Sequence, residues 1–174
     1  MRSGLAVVLL VYSMSVVVVA RGEDSPHVRG LDPWALESLE RGRQGSQLFR
    51  ELLQTLEASD LIAHVETSTR LAAGIAGTTR FVADTGAYRY VRIRLHRDLP
   101  ADVRAATLAH ELQHAVELAR AQVRTPVDML RLYVREGYRT GADPTYYETA
   151  AAEQAGLRAW RELHGSKVTA AGQQ

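Results

Sequence analysis

Two histidines four residues apart, with a glutamate directly after the first, are the residues of this chain best suited to chemistry. They form the segment His-Glu-Leu-Gln-His at positions 110–114. Residues four apart on an α-helix lie on the same face, so both imidazoles can reach one metal ion. Glu111 then stands beside the ion and is placed to accept a proton from a metal-bound water. The spacing predicts that His110 and His114 are metal ligands and that Glu111 is a general base.

The pentapeptide alone is a modest signal. At average residue frequencies, it arises by chance about once in a few hundred chains of this length. The competing interpretation is a helix that happens to carry two surface histidines. The elements around the pentapeptide are therefore needed to distinguish a metal site from a chance occurrence.

The composition limits both the metal ligands and the partners that we expect. The chain has 174 residues, which favours a single domain, and it has no cysteine. A metal site must therefore use His, Asp and Glu. Lys and Arg number 21 against 20 Asp and Glu, so the charge is balanced. This balance gives no electrostatic reason to expect nucleic acid or an anionic membrane surface as a partner.

The first residues have the layout of an export signal. Arg2 precedes an apolar run over residues 5–19, and small residues follow at Ala20 and Gly22 before a polar stretch. The run is short for a membrane span, so we predict a signal peptide over residues 1–22, with an uncleaved anchor as the alternative. The protein is then exported, as a periplasmic or secreted protein. Membrane contact is expected only if the segment stays uncleaved.

The rest of the chain shows no linker and no internal repeat. We predict one domain over residues 23–165 and a disordered tail over residues 166–174. Two helices are expected first, one capped by Asp32 and closed by Gly42, the other capped by Ser46. The apolar residues expected to face inward from these helices are Trp34, Leu36, Leu39, Leu48, Phe49, Leu52, Leu53 and Leu56.

Three segments before the motif have the pattern of strands. They are residues 61–66, 78–83 and 87–95, and a short glycine-containing turn at 84–86 joins the last two as a hairpin. In the last segment, apolar residues alternate with arginines. Arginines on one face indicate exposure, as on an edge strand. We expect an extended substrate to lie along this edge by strand addition.

Three helices are expected from the motif onward. The motif helix is placed at about residues 101–121, and a second helix begins at Pro126 and is capped by Gly137. A cap-and-proline pair at 143–144 begins the last helix, which is expected to end at Gly165. Together with the strands, these helices predict an α+β fold.

The third metal ligand has to come from outside the motif. A catalytic zinc usually takes three protein ligands and keeps one position open. The sixth residue after His114 is Arg120, so a third histidine of the extended motif is absent. Glu148 and Glu153 are the candidates, and Glu148 is preferred because three alanines follow it and let two helices approach closely. The competing interpretation is that both only stabilise the dipole of the last helix.

With these residues, the chain resembles zinc metallopeptidases of the gluzincin kind over roughly residues 61–163. The resemblance implies a minimal zincin-like domain, in which a small antiparallel sheet or hairpin packs on the motif helix and a C-terminal helix. It implies that His110, His114 and Glu148 bind Zn²⁺ and that Glu111 is the general base. It also implies a peptide or protein substrate.

The chain departs from that family at one position. The family often carries an acidic residue four positions after the third ligand, where it orients a zinc-binding histidine. Here that position is Ala152, and Glu153 and Glu117 are the candidates to replace it. An oxyanion donor is also needed. The candidates considered for it are Tyr138, Tyr146, Tyr147 and His164, although packing explains the tyrosines equally well.

Three functions remain open from the sequence. The first is a zinc-dependent peptidase, and the second is an exported zinc-binding module that binds or inhibits without catalysis. The third is a plain secreted α+β domain with a fortuitous motif. The intact Glu111 favours the first over the second, because a structural metal site has no use for a base. The histidines outside the motif, at positions 27, 64 and 96, are expected to be incidental.

Overall fold

A computed structural model describes residues 26–140 and 146–171 of the chain, with side chains described as far as Gly165. The elements are β1 (Val28–Gly30), α1 (Pro33–Gly45), α2 (Gln47–Glu57), β2 (Leu61–Ser68), β3 (Gly77–Asp84), β4 (Arg89–His96), α3 (Ala101–Arg120), α4 (Pro126–Glu136), β5 (Tyr138–Arg139), β6 (Tyr147–Glu148) and α5 (Ala150–Ala171). These elements confirm the α+β class. The segment predicted as a signal peptide lies outside the described residues. Among the described residues, no helix has the length and apolar character needed to cross a membrane.

Capping residues set where the first two helices begin. The Asp32 carboxylate accepts from two backbone N–H groups of the first turn of α1, and the Ser46 hydroxyl accepts from the Phe49 N–H in α2. Gly42 does not close α1 as predicted. It lies inside the helix, where a Cβ would fall 2.4 Å from the Phe49 ring. Glycine is therefore used at this position to let α2 pack closely against α1.

Burial of the apolar residues of α1 differs from the prediction. Leu39 is buried, whereas Trp34 and Leu36 are exposed. The Trp34 ring lies instead against the guanidinium of Arg104, which is 5.2 Å from the ring centroid. A tryptophan can make this cation–π contact at the surface, so its apolar character alone did not predict its burial.

The four-stranded sheet is mixed, not antiparallel as predicted. Its strand order is β1–β2–β4–β3, and only the β3–β4 pair is antiparallel, as the predicted hairpin requires. β4 is therefore an interior strand, and the prediction that residues 88–95 form an edge is wrong. Arg92 and Arg94 are solvent-accessible because they lie on the open face of the sheet, whereas Arg89 points to the other face and is buried. The edge beside the motif helix is β3.

The alternation in β4 runs without a slip. Val91, Ile93 and Leu95 are fully buried on the helix-facing side of the sheet, and Arg89 is fully buried on the same side. The β3–β4 pairing has an irregularity in β3, where the register shifts between Phe81 and Ala83. The core lies between this face and helices α1, α2 and α3.

The last helix begins later than predicted. The Thr149 hydroxyl accepts from the Ala152 N–H, at 3.1 Å, and so caps α5, which starts at Ala150. The predicted cap-and-proline pair at 143–144 lies outside the described residues. The helix also continues past Gly165 to Ala171. Glu148 consequently precedes α5 and belongs to β6, instead of lying one turn inside a helix.

Candidate metal centre

Three side chains named from the sequence as metal ligands lie together in the structure. Glu148 Oε1 is 3.1 Å from His110 Nε2 and 3.0 Å from His114 Nε2. One donor atom from each residue lies within 4.8 Å of the others, and this group could hold a metal ion. The convergence comes from two segments 34 residues apart, so it does not follow from the helical spacing of the histidines alone.

The histidines are held by α3 and by the close packing of α5 against it. Their ring centroids are 5.0 Å apart on one side of α3, as expected for residues one turn apart. Small residues of α5 face α3 at this point, and a Cβ on Gly156 would lie 3.2 Å from the His110 Cβ. Ala152 and Ala159 on the same helix are fully buried. The run of small residues therefore allows the close approach that the sequence predicts.

Glu148 is positioned by a short hairpin. β6 pairs with β5, in the register Tyr138 with Glu148, and β5 follows directly after α4. Gly137 makes the hairpin fit, since a Cβ there would be 2.7 Å from the Glu148 carbonyl oxygen. The Thr149 N–H donates to Glu148 Oε1 at 3.0 Å and orients the carboxylate. The position of the Glu148 carboxylate therefore depends on backbone contacts rather than on a helical face.

Glu117 occupies the place of the acidic residue that Ala152 does not provide. Its Oε2 is 3.0 Å from His114 Nδ1, and its Oε1 accepts from the Thr149 hydroxyl at 2.7 Å. A carboxylate on Nδ1 fixes the ring so that Nε2 faces the cluster. Because Glu117 comes from α3 itself, this arrangement needs no acid on α5.

The protonation of the cluster follows from its burial and its carboxylates. Burial alone would lower the pKa of His114, but the hydrogen bonds to Glu117 and Glu148 outweigh it and raise this pKa to about 10. Burial opposes ionisation of Glu148 as well, yet the bonds to His110 and His114 lower its pKa to about 2. Without a metal, the site is thus held by an ionised glutamate and a protonated histidine.

Glu111 is buried beside the cluster and is anchored by the edge strand. Its Oε2 accepts a hydrogen bond of 2.8 Å from the Thr79 hydroxyl on β3. A Cβ on Gly77 would lie 2.7 Å from Glu111 Oε1, so glycine makes room for the carboxylate at this point of the strand. Burial raises the pKa of Glu111, against the opposing effects of His114, His110 and Thr79.

Tyr133 is a cleft residue that the sequence reasoning missed. It is 5% exposed, its ring meets the His114 ring edge-on at 5.4 Å, and it stacks on Tyr147. Its hydroxyl is buried and has no hydrogen-bond partner within the described residues. Burial, and then the charges of Glu117, Glu111 and Glu148, raise its pKa well above the usual value.

These groups line one cleft of ≈ 330 Å³. One wall is the edge strand β3 over residues 77–80, and the opposite wall comes from α4 and the β5–β6 hairpin. Tyr146 and Tyr147, which were considered as oxyanion donors, line this cleft. The edge strand β3 therefore forms one side of the cleft.

The remaining candidates lie away from the cluster. Glu153 is exposed and forms a hydrogen bond with the Tyr138 hydroxyl, which raises the pKa of Tyr138 to about 12. His164 stacks on Trp160 near the end of the described side chains. Of the two glutamates considered as third ligand, the structure brings only Glu148 to the histidines. The histidines at 27, 64 and 96 also stand outside this group.

Comparison of the chain with protein-family models, with curated proteins and with solved structures gave no match. Two imidazole nitrogens and one carboxylate oxygen form a donor set typical of catalytic zinc, with no sulfur. The buried Tyr133 hydroxyl, which has no hydrogen-bond partner among the described residues, fits a site that receives a further polar group.

Proposed function

We propose that this protein is a zinc-dependent hydrolase that cleaves peptide bonds. The observation that carries the proposal is the Glu111 carboxylate, which is buried against the His110–His114–Glu148 group and anchored by Thr79 in the same cleft. A site that only binds metal needs its ligands but not a carboxylate held beside them. His110, His114 and Glu148 would hold the ion.

Bound zinc would supply a Lewis acid that activates a water molecule and polarises the substrate carbonyl. Glu111 then has the role of accepting a proton from the attacking water and passing it to the leaving amine. The raised pKa of Glu111, caused mainly by burial, suits both transfers because the carboxyl must hold the proton between them. Thr79 donates to one oxygen of this carboxylate, and the other oxygen remains for the proton.

Tyr133 is the residue best placed to stabilise negative charge that develops on the substrate carbonyl oxygen. A phenol donates one hydrogen bond, and the hydroxyl of Tyr133 has none to make within the described residues. Its ring lies edge-on against the His114 ring, and Tyr133 lines the same cleft as the metal-binding group. A preorganised donor of this kind stabilises the transition state without reorganisation.

The substrate would lie along β3 instead of along residues 88–95. β3 pairs with β4 on one side only and runs along the cleft on the other, and an extended peptide can add to such an edge. The alternative of a non-catalytic module is favoured by the small size of the chain and by the missing acid at Ala152. The contact of Glu117 with His114 Nδ1 weakens the second of these arguments.

The test is metal content followed by cleavage. Mature wild-type protein is expected to contain one zinc per chain, and His114→Ala or Glu148→Gln is expected to lose it. Glu111→Gln should keep zinc but lose the cleavage of a peptide library that the wild type performs. If the wild type binds zinc but cleaves no peptide that Glu111→Gln leaves uncut, the site is a metal site without peptidase activity. If no zinc is bound, the proposal fails entirely.

A further inference from the structure

The face of the sheet turned away from the helices carries a row of basic residues. Strand pairing sets Arg29 of β1 opposite His64 of β2, His64 opposite Arg92 of β4, and Arg92 opposite Arg80 of β3. Residues paired in register point to the same face, so the row crosses the whole sheet. With neighbouring strands about 4.8 Å apart, it is roughly 14 Å long.

The row has more positive charge than its surroundings neutralise. Glu66 is the one acidic residue that the described strands place on this face, and it is used by Arg94, at 2.6 Å, with Arg92 at 3.9 Å. Arg29 and Arg80 form no ion pair within the part of the chain that the structure describes. Burial, and then the charges of Arg29 and Arg92, lower the pKa of His64, as expected in a positive potential.

The arrangement is unfavourable for the folded protein by itself. Arg80 and Arg92 face each other directly across an antiparallel pair, where like charges destabilise the sheet. Arg92 is also 45% exposed, so its charge is available to a ligand. A charge pattern that costs stability and faces solvent fits a surface that receives an anion.

The row begins at the cleft. Arg80 is a lining residue of the cleft, and the preceding residue, Thr79, binds the Glu111 carboxylate. A chain that lies along β3 with one bond near Glu111 therefore passes Arg80, and its continuation can cross the open face toward Arg92. A length of 14 Å corresponds to about four residues of extended chain.

The charge of the whole molecule separates possible anionic partners. The net charge is only +1, so there is no long-range attraction for nucleic acid or for an anionic membrane. Three arginines in a short row beside a peptide-sized cleft suit a short acidic stretch of a polypeptide instead. We infer that Arg29, His64, Arg92 and Arg80 bind an acidic segment of the polypeptide that the cleft cleaves, an inference that rests on the proposed function.

Binding and cleavage are tested separately. A fluorescein-labelled peptide with four consecutive glutamates is titrated with full-length Glu111→Gln protein, and fluorescence anisotropy gives its affinity. In that background, Arg92→Gln and Arg80→Gln should each weaken binding about fivefold, the effect of one exposed ion pair, and added salt should weaken it further. Arg131→Gln is the matched control, because Arg131 is 74% exposed but lies on α4. The same peptide with glutamines is the control ligand.

The outcomes distinguish this inference from the proposed function. Binding that depends on Arg92 and Arg80 supports the row even if the wild type cleaves nothing. If the acidic and the glutamine substrates are cleaved at the same rate, the inference that the row binds an acidic segment is overturned, but the proposed peptidase function is not. Equal loss in Arg131→Gln, or no loss in Arg92→Gln, also overturns it. If single-stranded DNA or phosphatidylglycerol vesicles bind more tightly than the acidic peptide, and this binding depends on Arg92, the row binds another partner.

Discussion

Glu117 fixes His114 from the side away from Glu148. Replacing it with glutamine removes the negative charge on His114 Nδ1 while keeping the size of the side chain. We expect Glu117→Gln to lower zinc affinity about 10–100-fold, the usual effect of losing such a partner. Competition with a chromophoric chelator measures this affinity.

Glu153→Gln is the control for this measurement. Glu153 lies close in sequence to Glu148 but bonds to Tyr138 instead of to the histidines. It should therefore leave zinc affinity unchanged. An equal loss in both variants would show that charge near the start of α5, not the contact to His114, sets the affinity.

Tyr133 offers a prediction in which stability and activity move in opposite directions. A buried hydroxyl without a partner costs about 1–3 kcal/mol, so Tyr133→Phe should raise the free energy of unfolding of the metal-free protein by about 1 kcal/mol. The same change should lower kcat/KM about 100-fold if the hydroxyl donates to the substrate in the transition state. Urea unfolding and peptide hydrolysis measure the two effects.

The exposed Tyr88 provides the comparison. Tyr88→Phe should change neither quantity, since its ring lies outside the cleft. A Tyr133→Phe protein that is less stable than the wild type would mean that the hydroxyl has a partner in solution. Unchanged kcat/KM would remove Tyr133 from the proposed chemistry.

At the scale of elements, the β5–β6 hairpin determines whether the third ligand reaches the histidines. A methyl group at position 137 would lie 2.7 Å from the Glu148 carbonyl oxygen and 2.9 Å from that of Tyr133. Gly137→Ala should therefore push β6 away from α4 and lower zinc affinity by about tenfold or more, since a displaced ligand no longer meets the ion. Chelator competition measures the loss.

Gly165→Ala serves as the matched substitution, because a Cβ there lies within 4 Å of no atom in the part of the chain that the structure describes. It should leave zinc affinity intact. Circular dichroism of both variants checks that the helices are retained. If Gly137→Ala binds zinc as the wild type does, the hairpin adapts and its close packing is not what positions Glu148.

The elements also show which parts of the fold the sequence could predict. Caps and turns act locally, so Asp32, Ser46 and the turn after β3 were identified from neighbouring residues alone. Sheet order depends on pairings between distant segments, and no local pattern placed β4 between β2 and β3. An arginine-bearing face looks the same on an interior strand as on an edge strand when the face is open.

The site residues show the same difference between local and long-range structure. His110, Glu111 and His114 share one helix, so their spacing sufficed to place them together. Glu148 was predicted to be the third ligand on the assumption that it lies in the last helix. That helix begins only at Ala150, and Glu148 reaches the histidines through strand pairing instead. Tyr133 carried no signal, because the absence of a hydrogen-bond partner is a property of the packed structure.

At the scale of the whole molecule, one buried arginine joins the sheet to the end of the motif helix. Arg89 is fully buried at the start of β4, and it donates to the carbonyls of Leu118 and Ala119 at 3.1 and 3.2 Å. Asp60, just before β2, supplies the counter-charge through two hydrogen bonds. Carbonyls at a helix C-terminus favour a cation, so Arg89 stabilises the C-terminal end of α3.

This link makes global stability depend on pH through Asp60. The hydrogen bond from Arg89 outweighs burial and holds the pKa of Asp60 below its ordinary value of 3.8. A carboxyl with a depressed pKa in the folded state stabilises the protein above the unfolded-state value, and the contribution is lost as the pH falls through the folded-state value. Asp60→Asn should therefore destabilise the protein at neutral pH, and the difference from wild type should shrink below pH 3.8.

Removing the partner of a buried charge costs about 3–5 kcal/mol, and we expect about 2 kcal/mol here because Asp60 is itself 30% exposed. Urea unfolding over a series of pH values measures the difference. The exposed Asp98 gives the control, Asp98→Asn, which should match the wild type across the series. A difference between Asp60→Asn and wild type that persists in acid would mean that the lost contact acts through packing. In that case the charge of Asp60 is not what joins β2 and β4 to the end of α3.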